Sequence, residues 1–349
     1  MKAPVCLSLC LALSLSSSVA SSARAAEPES LKVQAAPANR SVPTLDAKLV
    51  WIAPGKFTMG SPASETGHRD DETPQTEVTL TKGFWLAALE VTHGQWKKMM
   101  GTDVLEQARR GLNTDETFLI GRKEKIPVRD FFSWKKGDDP GQLIGNTDDN
   151  LAMIWVSWNE AVEFCRKLTA LERAAGRVPP GYEFRLPTEA EWEYSCRAGT
   201  RGATYAGDMI LKADRSAPVL DDIAVYAANC SVGYVGHPIG TAAWPDKKWP
   251  YERGGPQAVG SKRPNAWGLY DMLGSAAEWC IDWNGPLPGG QVTDPTGPAT
   301  GEFHVRKGGS WSSLATQTRA AYRNWHEPTY RWINLGFRVA LAPTLPAAR

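Results

Sequence analysis

Apolar residues along this chain come in short bursts, and the polar residues between them mark where each element begins and ends. The segment LVWIAPGKFTMGS (Leu49–Ser61) holds two such bursts about Pro54-Gly55, which predicts two short strands around a turn. EVTLTKGFWLAALEVT (Glu77–Thr92) alternates similarly and predicts one or two more. Three stretches then open on a capping box, in which a hydroxyl accepts from the amide three residues on and a Glu or Gln side chain returns the bond. The boxes start at Thr92 (with Gln95), Ser157 (with Glu160) and Thr188 (with Glu191). The first helix carries Trp96, Met99 and Met100 and stops at Gly101. The second places Ala161, Phe164, Cys165, Leu168 and Leu171 on an inner side, with Lys167, Glu172 and Arg173 on the wet side. Pro187 ends any helix upstream of the third.

The rest of the chain is irregular. Residues 62–74, with Glu65, His68, Arg69, Asp70, Asp71 and Glu72, read as a solvated loop. Residues 101–152 contain a short helical run and a Gly/Asp/Asn-rich loop, and read as a surface insertion, with a private function as the alternative. After Cys196, TYAGD, YAANC and VGYVGHPIG read as short aromatic strands and turns, and Gly285–Gly301 as loop. HVRKGGSWSS and NLGFRVAL predict two late strands. With 32 Gly and 25 Pro around three capped helices, the fold class is α+β: a single domain, loop-rich, with few regular elements.

Composition adds class and compartment. A hydrophobic content of 42% and charged content of 22% fit an ordinary soluble globular protein. Lys2 followed by VCLSLCLALSLSSSVA, with Ala23-Arg24-Ala25, reads as an export signal over residues 1–25. Residues 26–45 read as a flexible linker, 46–342 as the folded domain and 343–349 as a tail. The protein is expected to be periplasmic or secreted, with no membrane span. Loss of Lys2 and Arg24 takes the net charge from +1 to −1 (1 − 2), which offers no electrostatic case for nucleic acid. Cys165, Cys196, Cys230 and Cys280 remain, as disulfides or as free buried thiols. Fifteen Trp either fill the core or line a groove for a peptide, sugar or ring compound.

The densest candidate chemistry lies in PNAWGLYDMLGSAAEWCIDW (Pro264–Trp283). Asp271 and Glu278 supply carboxylates, Gly274 and Ala276 carbonyls, and a glycine between the carboxylates lets the backbone turn closely around a cation. Hard cations such as Ca²⁺ take such all-oxygen shells. His68, His93, His237, His304 and His326 show no i, i+3 or i, i+4 pairing, which argues against a local zinc or non-heme iron site.

Together with FTMGS (Phe57–Ser61), RLPTEAEWEYSCRAG (Arg185–Gly199) and RKGGSW…NLGFRVA (Arg306–Ala340), this segment resembles the formylglycine-generating enzyme (sulfatase-modifying factor) family over roughly residues 46–342. The resemblance implies a variant of the C-type lectin-like fold. It places one Ca²⁺ on Asp271, Gly274, Ala276 and Glu278, and a second on Asn229 and the Cys230 carbonyl, for which Tyr251 and Glu252 stand near the expected acidic partner. Its oxidases hold Cu(I) on two cysteines just after the GGS segment. Here Ser313 stands in the first cysteine position and no Cys follows Cys280. A hydroxyl cannot replace a thiolate on copper, so copper is not expected. An aromatic position before the motif Glu is Ala277, which enlarges the pocket.

Ser310, Arg323 and Asn334 match polar groove residues, with Trp311, Tyr322 and Trp325 as walls. Arg323 is expected either to clamp a carboxylate or a backbone carbonyl of a ligand, or to stitch loops together, and Asn334 either to pair with a peptide amide or to stitch likewise. Ser312 or Ser313 with His326 and Glu327 lacks any nucleophile-elbow pattern and is set aside. The expected function is a calcium-stabilised groove that binds a peptide, glycan or small ligand. The alternative is an oxidoreductase or maturation enzyme for an exported substrate, with formylglycine generation as the family label.

Overall fold

The structure, a computed structural model, describes residues 37–120, 124–212, 216–232 and 254–345. The export signal, most of the linker, His237, Tyr251 and Glu252 lie outside the described residues. The strands in chain order are β1 (Arg40–Val42), β2 (Ala47–Ile52), β3 (Gly55–Met59), β4 (Thr76–Leu80), β5 (Phe84–Ala87), β6 (Thr117–Ile120), β7 (Glu124–Pro127), β8 (Tyr182–Arg185), β9 (Ala277–Trp283), β10 (Gly290–Thr293), β11 (His304–Lys307), β12 (Asn324–His326), β13 (Leu335–Gly336) and β14 (Ala340–Pro343). The helices are α1 (His93–Met100), α2 (Val104–Leu112), α3 (Val128–Phe131), α4 (Trp158–Ala174), α5 (Glu189–Arg197) and α6 (Pro218–Asp221). The architecture is α+β and loop-rich.

Both bonds of each capping box form, at Thr92, Ser157 and Thr188, and α1 stops at Gly101 in the left-handed region (φ 74°). The predicted strands about Pro54-Gly55 exist but do not form a hairpin. β2 joins the sheet β1-β2-β5-β14-β8, while β3 joins β10-β4-β3. A third sheet, β12-β11-β9-β13, lies under the GGS segment. The expected loop Gly285–Gly301 contains β10, which pairs in parallel with β4. TYAGD is a turn closed by a Thr204–Gly207 bridge and not a strand.

Two hydrophobic clusters form the interior. One gathers Trp96, Phe164, Trp155, Trp279, Trp311 and Phe337. The other gathers Trp192, Phe84, Tyr226, Met272 and Leu341's neighbour Ala342. Five indoles, of Trp96, Trp155, Trp192, Trp279 and Trp311, are fully buried and act as core. The segment 101–152 is not a surface insertion: Val104, Ala108, Leu112, Phe118, Val128 and Ile144 are buried in the first cluster. Leu171, expected inside, is 52% exposed, and Glu172, expected wet, is 2% exposed. The reason lies beyond the helix end, where Arg177 folds back on the Glu172 carboxylate (2.6 and 2.8 Å).

The charge run 62–74 also departs from a solvated loop. Glu72 is fully buried, held by the Arg319 guanidinium (2.6 and 2.8 Å) and by the Ser61 hydroxyl (2.6 Å). All four described cysteines are free and buried. No helix among the described residues is long and apolar enough to cross a membrane.

Candidate functional site

The GGS segment turns sharply off the end of β11. Gly308 (φ 89°) and Gly309 (φ 71°) take left-handed conformations, and a Cβ on Gly309 would meet the Gln317 carbonyl at 2.7 Å. The chain then folds on itself, with the Ser313 amide donating to the Ser310 carbonyl (2.9 Å) and the Trp311 amide to the Ser275 carbonyl (2.7 Å). Asn334 is brought alongside because its carbonyl accepts from the Ala277 amide (2.8 Å), at the start of the parallel pairing of β13 with β9.

Three serines and one asparagine thereby form a single hydrogen-bonded cluster. Asn334 Nδ2 donates to Ser310 Oγ (2.9 Å) and to Ser312 Oγ (2.7 Å). Ser313 Oγ lies 3.0 Å from Ser310 Oγ and accepts from the Ser310 amide at 3.0 Å. Asn334 Oδ1 is buried with no hydrogen-bond partner. The cluster borders a polar pocket of about 120 Å³, walled by Ala277, Arg306, Ser312, Ser313, Tyr322 and Asn334 among others. Ala277 is one of the lining residues. No cysteine lines the pocket.

Arg306 is the residue that sequence reasoning missed. It lies on β11, half-buried, and its guanidinium makes no hydrogen bond or ion pair with any described residue. Burial holds its guanidinium below the ordinary arginine range. Its place two residues before the glycine pair was the available signal.

Arg323, by contrast, is placed elsewhere. Its fork grips both Glu189 oxygens (2.5 and 2.8 Å) and the Asp71 carbonyl (2.9 Å), and it lines a different cavity. It is the loop-stitching residue of the two readings. Trp325 packs on Phe303 (ring centroids 4.5 Å) and takes no part in the pocket wall. His326 stacks on Tyr330 at 3.8 Å.

The proposed calcium residues lie behind this pocket. Asp271 and Glu278 are buried, and Glu90 makes a third carboxylate that the sequence motif did not contain. Glu90 accepts from the Ala276 amide (2.8 Å) and the Ser275 hydroxyl (3.0 Å). Glu278 is held by the Arg338 fork (2.6 and 2.7 Å) and Trp192 Nε1 (2.7 Å). Asp271 accepts from the Gly260 amide (2.5 Å). Burial, and then the neighbouring carboxylates, push Glu90 well up, and burial pushes Asp271 to about 6.

Three carboxylates around one guanidinium leave the cluster short of positive charge, and in that respect the residues fit a divalent cation. Among the described residues no group of three or more His, Cys, Asp and Glu side chains is arranged as a metal site by itself, so backbone oxygens would have to complete the shell. Asn229 Oδ1 accepts from the Tyr226 amide (2.9 Å) and its Nδ2 donates to the Ala224 carbonyl (2.9 Å), and the acidic partner expected for a second site lies outside the described residues.

Comparison with known proteins follows the same lines. A family profile described as "Sulfatase-modifying factor enzyme 1-like domain" matches residues 33–343. The "Formylglycine-generating enzyme" of Mus musculus is 29% identical over 321 residues, covering 86% of this chain and 76% of that protein. The "Inactive C-alpha-formylglycine-generating enzyme 2" of Mus musculus is 26% identical over 323 residues, covering 86% and 88%. Among solved structures, "Treponema denticola variable protein 1" superposes with a TM-score of 0.58 at 22% identity over 87% of this chain and 98% of that one, which shows a shared fold.

Proposed function

Because the chain belongs to the sulfatase-modifying factor enzyme 1-like family, we propose that it is a binding member of that family, whose serine-lined pocket takes an anionic ligand end in place of a copper ion. The observation that carries this reading is the pocket lining: Arg306 without a partner, Asn334 Oδ1 without a donor, and no thiol. A guanidinium fork matches a carboxylate in two parallel bonds, and Asn334 Oδ1 accepts a neighbouring N–H or O–H. The ligand is therefore a peptide, glycan or small molecule that enters by an acidic end. None of the four described thiols lines the pocket, and burial pushes Cys196 up to about 12 and Cys230 up to about 11.

In this reading one Ca²⁺ pins the Asp271–Glu278 turn through those two carboxylates and the Gly274 and Ala276 carbonyls, and the protein works after export. The names of the mouse relatives cover both outcomes, since one is called the enzyme and the other inactive. The rival reading, an oxidoreductase that matures an exported substrate, requires redox chemistry in this pocket.

The test is calorimetric titration with N-acetylglycine and its uncharged amide, alongside incubation with Cu(I) and a cysteine-containing peptide. The acid is expected to bind about tenfold or more tightly than the amide, and Arg306→Gln to remove that preference. Equal binding of acid and amide, or stoichiometric Cu(I) with conversion of the peptide thiol to an aldehyde, would sink this reading.

A further inference from the structure

A second cavity, of about 520 Å³, opens under the proline-rich loop that carries β10. Its volume falls within the range of about 300–1,000 Å³ typical of small-molecule sites. The walls are mostly apolar, from Met59, Val78, Leu287, Val292 and the loop prolines, and the charged lining residues Glu189, Asp282 and Arg323 are hydrogen-bonded neighbours. There Glu189 is paired with Arg323 and also has the Lys307 ammonium at 3.7 Å, so its charge is met. Asp282 is different. It is 4% exposed, its Oδ2 accepts from the Glu189 amide (2.8 Å), and it forms no ion pair with any described residue. Asp282 is thus a lining carboxylate without an ion pair of its own among the described residues, inside largely apolar walls.

We propose that this cavity binds a small organic cation with an apolar body, its ammonium group seated on Asp282. An apolar cage around a carboxylate without an ion pair favours such a ligand twice: the body replaces water on the prolines and aliphatic side chains, and the cation supplies the direct ion pair that Asp282 lacks. An anion would meet Asp282 and Glu189, and the only guanidinium among the lining residues has its Nε and Nη2 on Glu189 and its Nη1 on the Asp71 carbonyl. Burial and then the Glu189 charge push the Asp282 carboxyl to about 8, with Arg185 opposing the rise.

The experiment uses the full chain and three probes of equal bulk: phenethylamine, 2-phenylethanol and phenylacetate. Binding is read by calorimetry in the wild-type protein, in Asp282→Asn, whose amide oxygen still accepts from Glu189, and in Val292→Trp, which fills the cavity. Phenethylamine is expected to bind about tenfold or more tightly than 2-phenylethanol in the wild type. Asp282→Asn should erase that difference, and Val292→Trp should remove binding of both. Equal affinity for amine and alcohol, a Val292-dependent preference for phenylacetate, or no binding of any probe at millimolar concentration would overturn the proposal. None of these outcomes bears on Arg306, so the two pockets are judged separately.

Discussion

Among the described residues, five arginines are buried and bound, and one that lines a pocket is not. Arg185, Arg197, Arg319, Arg323 and Arg338 each grip a glutamate, Glu191, Glu193, Glu72, Glu189 and Glu278 respectively, with the partners in most cases at 10% exposure or less. Their remaining N–H groups go largely to backbone carbonyls of loops, as in Arg338 to Ala87 and Tyr270. These are cross-ties that hold a loop-rich chain in one arrangement. Arg306 lies immediately before Lys307, which is itself tied to Glu193 (3.0 Å), yet it lines a polar pocket that has no acidic residue among its walls. The difference teaches how to read charge here. A buried charge with its fork filled serves the fold, and a charge left open in a cavity waits for a partner from outside.

Removal of one partner from a filled pair breaks the comparison most sharply. Arg319→Ala strands the fully buried Glu72 and is expected to cost about 3–5 kcal/mol in urea unfolding. Chelation comes next. If Ca²⁺ supplies the charge missing around Glu90, Asp271 and Glu278, saturation at 100-fold over Kd adds about 2.7 kcal/mol, seen as a melting point that EGTA lowers and Ca²⁺ restores. An EGTA-insensitive melting point would remove the ion from the account.

Asp282 gives the third test. Its folded pKa of about 8 lies above its unfolded value of 3.8, because of burial and then Glu189, with Glu191 adding to the rise and Arg185 opposing it. The folded state therefore holds one more proton between those values, and stability falls as pH rises from about 4 to about 8. Asp282→Asn should lift that loss, so the variant gains about 1–3 kcal/mol relative to wild type at pH 9 and little at pH 4. Denaturant midpoints across pH read this directly.

The smallest effect on stability belongs to Arg306→Ala, expected within about 0.5 kcal/mol of wild type while preference for acidic ligands is lost. A cost equal to that of Arg319→Ala would show Arg306 to be another cross-tie and would dissolve the contrast.

Much of the fold was legible because its signals are local. Each capping box spans three residues, and Thr92, Ser157 and Thr188 start helices as their side chains dictate. The absence of a thiol at Ser313 is likewise a fact of the chain, readable before any geometry. The errors share one physical origin. Glu72, Glu172 and residues 101–152 looked wet because their charges and turns are local features, while their burial depends on Arg319, Arg177 and the first cluster. Arg323 was drawn toward the pocket by its place in a motif, and Arg306 was passed over.

The sequence by itself determined the helix starts, the family and the loss of the cysteine position, since each is carried by residues a few places apart. Only the tertiary structure decided which arginine is free. The Glu189–Arg323 pair spans 134 residues and the Glu72–Arg319 pair 247. At such separations no spacing rule applies: the partner of a charge is set by which loops the sheets bring together, and by the cost of leaving any buried charge without one.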